Sequence, residues 1–229
     1  MNYNWDWGIL FREPYLEWLI SGLGWTLSLS LAAWIIAFVL GSILGIMRTS
    51  SISILRFIAT TYVEIFRNIP LLVQLFLWYF VFPELLPDDA GRWVKREMPM
   101  PALIVAFILF EAAYYTEIIR AGISSVSKGQ LAAGRAIGLT YPQTMRYVIL
   151  PQAFRAMVPV LLTQAIILFQ DTSLVYVVGL KDFLVSAELI ANRDQRLVEM
   201  YIFIAIVYFV ICFAASLWVR RLQKRLATS

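Results

Sequence analysis

Four polar side chains stand in stretches of this sequence that are otherwise apolar: Glu111, Tyr114, Gln164 and Asp171. A carboxylate at the centre of a bilayer costs on the order of 2.5–3.5 kcal/mol on insertion scales, so such residues face a bundle interior or a wet cavity. Asp171 is the clearest case, the one charge in residues 156–180. Gln164 precedes it by two helical turns and shares its face. Thr172 and Ser173 add hydroxyls that can bond to local backbone or across helices. In the earlier apolar stretch, Glu111, Tyr115, Ile118 and Gly122 follow helical spacing. Two readings of the four residues stand side by side: they line a polar pathway, or they hydrogen-bond helices together. Glu117 and Arg120, three apart, are expected to neutralise each other.

Other chemistry is excluded by what the sequence lacks. With no histidine there is no His-based triad or zinc site to build. The single Cys212 forms no intramolecular disulfide, and there is no CxxC pair. A G-x-x-x-x-G-K-[ST] phosphate loop is absent too, so ATP hydrolysis is not expected here. No cofactor or metal is expected. The net charge is +4, but the cations lie beside apolar segments, so nucleic acid is not an expected partner.

The elements that position these residues are membrane spans. Of 229 residues, 61% are hydrophobic and 15% charged, with a mean hydropathy of +0.75. A soluble domain is nearer half apolar and a quarter charged. The chain reads as all-α and integral to a membrane, one domain over 1–229. Spanning takes about 20 apolar residues. Five spans are expected: 18–47, about 67–87, about 100–122, 156–180 and 200–219. Gly41 and Gly45 form a GxxxG in the first, read as close packing only. An amphipathic connection precedes the second span, and polar, mixed-charge loops lie at 84–101 and 181–199. Residues 1–17 carry Asp6, Glu13 and Glu17 against Arg12, unlike the cationic start of a cleaved signal peptide. Lys and Arg concentrate in cytoplasmic loops. Placing the C-terminus inside puts 12 of the 19 cations inside and 7 outside. The N-terminus is therefore expected outside.

Between the third and fourth spans runs KGQLAAGRAIGLTYPQTMRYVILPQ, residues 128–152, with three cations and no acid. Gly138 follows an alanine-rich run, and Thr140 and Pro142 suit the start of a second helix. Leu150 and Pro151 are expected to end it. A helix, a break at glycine and a second short helix would then lie at a membrane surface.

This loop, about 127–152, resembles the cytoplasmic EAA loop of ABC-importer permeases. Ala132, Ala133 and Gly134 fall on the EAA positions, Gly138 on its glycine, and Val148, Leu150 and Pro151 on its closing group. Gln130 in the preceding GQ and the trailing PQAFR match the polar amino-acid subfamily. The EAA glutamate itself is replaced by Ala132. Arg67, Pro70 and Gln74 resemble the R-x-x-P-L-L-V-Q-L-F signature of the same family, and FQDTSLV its fourth-span segment.

The resemblance implies a type I ABC importer permease (MetI-like) fold with five transmembrane helices in the bacterial inner membrane. It implies no enzyme activity in this chain, an ABC ATPase dimer below, a second permease beside it, and a periplasmic solute-binding protein above. The ATPase-coupling residues would be Gln130, Ala132, Ala133, Gly134, Arg135, Gly138, Leu150 and Pro151. EAAYYTEIIRAGI and the segment after LPQAFR look most like glutamate/aspartate permeases. An acidic substrate wants cations in the pathway, whereas the mid-membrane charges here are acidic; a partner subunit could supply an arginine. The alternative is an ion-coupled secondary carrier using Asp171 or Glu111; five spans with no visible repeat speak against it. A membrane scaffold would leave Asp171 unexplained.

Overall fold

The computed structural model describes residues 3–97 and 99–227, which are helical with no strand among them. Helix α1 spans Tyr15–Thr49. It is charge-free from Trp18 to Met47. Its small residues set how closely a neighbour approaches. A Cβ on Gly41 would lie 2.5 Å from Cβ of Tyr115, and one on Gly45 2.9 Å from Cγ2 of Ile119. The GxxxG is thus the seat of helix α5, Pro99–Ser125.

Helix α2, Ser53–Arg67, buries Ala59 and Val63, four apart, and leaves its other faces largely open. Helix α3, Leu71–Leu85, departs from it at 97°. Pro70 stands at the start of α3 and brings no N–H to the bend. Gln74, 2% exposed, closes the corner from inside. Its amide donates to the carbonyls of Phe66 at 2.7 Å and Ile69 at 2.9 Å, which are freed by the bend.

The stretch 84–101 is not the simple polar loop the sequence suggests. Asp88–Glu97 forms helix α4, with Asp88 and Asp89 in its first turn and Lys95 and Arg96 in its last, the arrangement that the helix dipole favours. Met98 lies outside the described residues.

Helix α6, Lys128–Ala136, leads into α7, Tyr141–Val178. Leu150 and Pro151 do not end a short helix, as expected from sequence; α7 continues through both. The reason is a π turn over Met145–Ile149, in which the Leu150 N–H reaches the Met145 carbonyl. That wider turn gives room for the proline ring, which would otherwise clash with a carbonyl one turn back. The same device precedes Pro83 in α3, where Leu77–Val81 is a π turn.

Residues 181–199 are likewise more than a loop. Phe183–Arg193 is helix α8, burying Phe183, Ala187, Ile190 and Ala191 at helical spacing. Helix α9 is Leu197–Ala227. The start of the chain folds onto this end: Ile9, Tyr15 and Leu19 pack with Phe183, Ile190 and Met200. Glu199, fully buried, accepts from the Asp6 N–H at 3.0 Å and from the Tyr3 hydroxyl. Asp182 caps α8 by accepting from the Val185 N–H at 2.8 Å. Burial pushes its carboxyl up to about 6.

By length and composition, α1, α7 and α9 can each cross a membrane, and the bent α2–α3 pair makes a fourth candidate.

Candidate functional site

Helices α5 and α7 bring two of the four expected pathway residues together. Glu111 is completely buried and Gln164 9% exposed. The Gln164 amide donates to both carboxylate oxygens of Glu111, at 3.1 and 3.3 Å. A buried carboxylate needs such donors, since an unpaired one is strongly disfavoured in an apolar interior. Asp171 is half-buried at the far end of the same face and makes no hydrogen bond to either residue. It stands where α7 tightens into a 3-10 segment, Thr172–Val178. The Ser173 hydroxyl bonds locally to the Gln170 carbonyl at 2.7 Å. That of Thr172 bonds to the Phe169 carbonyl at 2.7 Å and meets Ser30 of α1 at 3.5 Å.

Tyr114 and Tyr115 point to different partners. Tyr115 is fully buried against α1. Tyr114 lies under the Arg67 guanidinium, 5.2 Å from guanidinium carbon to ring centroid. Sequence reasoning missed that contact, because it joins α2 to α5. It also gave Glu117 one partner where there are two. Arg120 donates to Glu117 at 2.9 and 3.1 Å, and Arg48, at the end of α1, pairs with the other carboxylate oxygen. Arg48 as the last cation of a long apolar run was visible in the sequence; its partner was not.

The corner between α6 and α7 is built by backbone rules. Ser127 starts α6, its hydroxyl accepting from the Gly129 N–H at 3.3 Å. Gly138 has φ +84°, which glycine adopts freely. The Gly138 N–H bonds to the Arg135 carbonyl and the Leu139 N–H to that of Gly134, both at 3.0 Å. Those two bonds make a Schellman motif, which ends α6 and satisfies its last carbonyls. Two residues later Thr140 opens α7 in a capping box, its N–H bonded to Gln143 at 2.8 Å. Gly134 holds the two arms together, for a Cβ there would stand 2.4 Å from Cγ2 of Thr144. Of the eight residues expected in this region, Gly134 alone is buried; Gln130, Ala132, Ala133, Arg135, Gly138, Leu150 and Pro151 are exposed. Ile137, Tyr141 and Tyr147 are exposed as well, as are Arg135 and Arg146, and the Arg146 guanidinium carbon lies 5.7 Å from the Tyr147 ring centre.

Comparison with known proteins follows this geometry along nearly the whole chain. The glutamate/aspartate import permease protein GltK of Escherichia coli O6:H1 is 48% identical over 225 residues, 98% of this chain and 100% of the relative. The glutamate/aspartate import permease protein GltJ of Escherichia coli K12 is 39% identical over 222 residues, 92% of this chain and 90% of its own. Among solved structures, an amino acid ABC transporter crystallised with histidines matches at a TM-score of 0.83 and 33% identity, covering 98% of this chain and 100% of that one. The inward-facing MetNI methionine ABC transporter, at 23% identity and a TM-score of 0.68 over 92% of this chain and 99% of its own, shares the fold. Residues 37–228, from the middle of α1 through α9, match one family model, and the chain belongs to that family, the binding-protein-dependent transport system inner membrane components.

Proposed function

We propose that this amino-acid ABC permease is the transmembrane subunit of an ATP-driven importer for acidic amino acids. Similarity to GltK and GltJ supports the substrate class. In this reading α1, α3, α5, α7 and α9 are five spans, with the N-terminus periplasmic and the C-terminus cytoplasmic, as the 12-to-7 division of the 19 cations supports. A second permease, the same chain or a related one, completes the pathway. A periplasmic binding protein delivers the amino acid to the outer face, and an ATPase dimer docks on the α6–α7 corner. Gln130, Ala132, Ala133, Arg135, Leu150 and Pro151 belong to that docking surface, while Gly134 and Gly138 keep its shape. Glu111, Tyr114, Gln164 and Asp171 belong to the pathway.

One observation carries the mechanism. Helix α7 is continuous from the corner at Tyr141 to Gln164 and Asp171, with Pro151 absorbed by the π turn and Pro159 inside the helix. A displacement of the corner, driven by closure of the ATPases, reaches the Glu111–Gln164 seam through one continuous element. Two sites that bias one two-state element are coupled by necessity. The outward- and inward-open states would differ in how α7 sits on α5.

The test is uptake of labelled glutamate and aspartate into proteoliposomes holding the assembled complex, with binding protein outside and ATP inside. Uptake should require both. Uptake by this chain alone, without an ATPase, would replace the importer with a secondary carrier.

A further inference from the structure

We propose that Arg67 takes a carboxylate of the amino acid in the inner half of the α5–α7 seam, with Tyr114 as its support. The inference rests on the reading of this chain as an acidic amino-acid permease, and it places in this chain the cation that an acidic substrate requires.

Arg67 ends α2 immediately before the corner locked by Gln74, so its backbone position is fixed. Its guanidinium lies over the Tyr114 ring. A ring face offers the cation no hydrogen-bond acceptor of its own, so this contact leaves guanidinium N–H donors for a planar carboxylate. Tyr114 follows Glu111 by one turn on α5.

A cavity of about 400 Å³ opens just inward of this point, lined by Arg67, Glu117, Ile118, Gly122, Met157 and Val160. Apart from Arg67 of α2, its walls are the same two helices, α5 and α7, that meet at Glu111 and Gln164. Its volume falls in the range of small-molecule sites, roughly 300–1,000 Å³.

Of the cations nearby, one meets no carboxylate. Glu117 is shared by Arg48 and Arg120. Glu64, one turn before Arg67 on α2, accepts from the Asn68 amide at 3.1 Å. Arg67 is exposed and pairs with no carboxylate among the described residues. Three guanidiniums therefore stand against two carboxylates, and Arg67, which meets neither, is the one that lines the cavity. A ligand bearing one carboxylate at that point restores the balance and gains charge-assisted, bidentate hydrogen bonds.

An acidic amino acid offers two such groups, the α-carboxylate and the side-chain carboxylate. The test is equilibrium binding of labelled L-glutamate to the purified permease–ATPase complex without binding protein, so that affinity reports on the membrane subunits alone. L-glutamine keeps only the α-carboxylate, and 4-aminobutyrate keeps only the side-chain carboxylate. Whichever of them competes identifies the group that Arg67 holds. Arg67→Gln should weaken glutamate binding about tenfold, the size of a lost charge-assisted hydrogen bond. Arg67→Lys should weaken it less, since charge remains and the planar fork is lost, and Tyr114→Phe least, since the ring remains.

Unchanged affinity in Arg67→Gln would overturn the proposal, as would a wild-type complex that binds no glutamate. So would equal losses in Arg67→Gln and Arg67→Lys accompanied by less assembled complex, which mark a structural arginine. ATP-dependent uptake by the wild type, measured alongside, separates failure of this assignment from failure of the importer reading.

Discussion

The α6–α7 corner and the α5–α7 seam solve opposite problems. At the corner, backbone conformation fixes the shape and the side chains are left free. Gly138 at positive φ, a Schellman motif and a capping box hold the turn, while Ile137, Tyr141 and Arg135 face outward. At the seam, the backbone is helical on both sides, with Pro159 inside α7, and one side-chain pair, Glu111 with Gln164, supplies the specificity. On the proposed function the corner is gripped by another protein, and such a surface needs a rigid frame and spare side chains. A polar spot inside a membrane needs the reverse, because every polar atom there must find a partner.

Substitutions should therefore act differently in the two regions. The largest effect is expected for Gly134→Leu. A side chain there meets Thr144 in a tight contact, and overpacking of this kind costs about 1–3 kcal/mol or more. Membrane insertion should persist while the ATPase no longer co-purifies; full co-purification would show that the corner tolerates rearrangement. Next comes Glu111→Leu, which leaves the Gln164 amide buried without its acceptor, at a cost of about 1–3 kcal/mol. The assembled complex should unfold at lower temperature, whereas Glu111→Gln, still able to bond, should unfold near the wild-type temperature and change uptake. Equal thermal losses in both would mean that charge, not bonding, holds the seam.

A finer comparison uses Gly138. Ala there costs about 1–2 kcal/mol for the left-handed conformation, and Asn less, because its side chain tolerates that region. Coupled transport should follow the order Gly, Asn, Ala; no order would remove the backbone argument. The smallest effect is a pH dependence away from both regions. Asp182 has its folded carboxyl pushed up to about 6, above its ordinary 3.8, so its ionised form disfavours the fold. Stability should then be lower at pH 7 and rise as pH falls through 6, by about 1 kcal/mol at pH 5. Asp182→Asn should remove that dependence in thermal melts; an unchanged slope would assign it to another group.

What the sequence disclosed follows the same division. The break at Gly138 and the start at Thr140 and Pro142 were legible, because caps and turns are written in adjacent residues. The Glu117–Arg120 pair was legible for the same reason, being three apart on one helix. Contacts between helices were not: Arg48 with Glu117, Arg67 with Tyr114 and Gln164 with Glu111 join residues whose spacing in the chain implies nothing. Pro151 misled because proline after a polar stretch usually ends a helix, and nothing local announces a π turn that accommodates it. Helix α8 was read as loop because Lys181, Glu188 and Arg193 drew more weight than the apolar face between them.

The central claim is that the corner transmits ATP-driven motion through α7 to the seam. The most direct test is the number of ATP molecules hydrolysed per glutamate taken up, measured in proteoliposomes carrying wild type or Gly138→Val. A β-branched side chain strains the positive-φ turn most, meets no neighbour there and leaves every residue of the seam in place. The account predicts a several-fold rise in that ratio, with hydrolysis continuing while uptake falls. A wild-type ratio in Gly138→Val, with uptake undiminished, would contradict it.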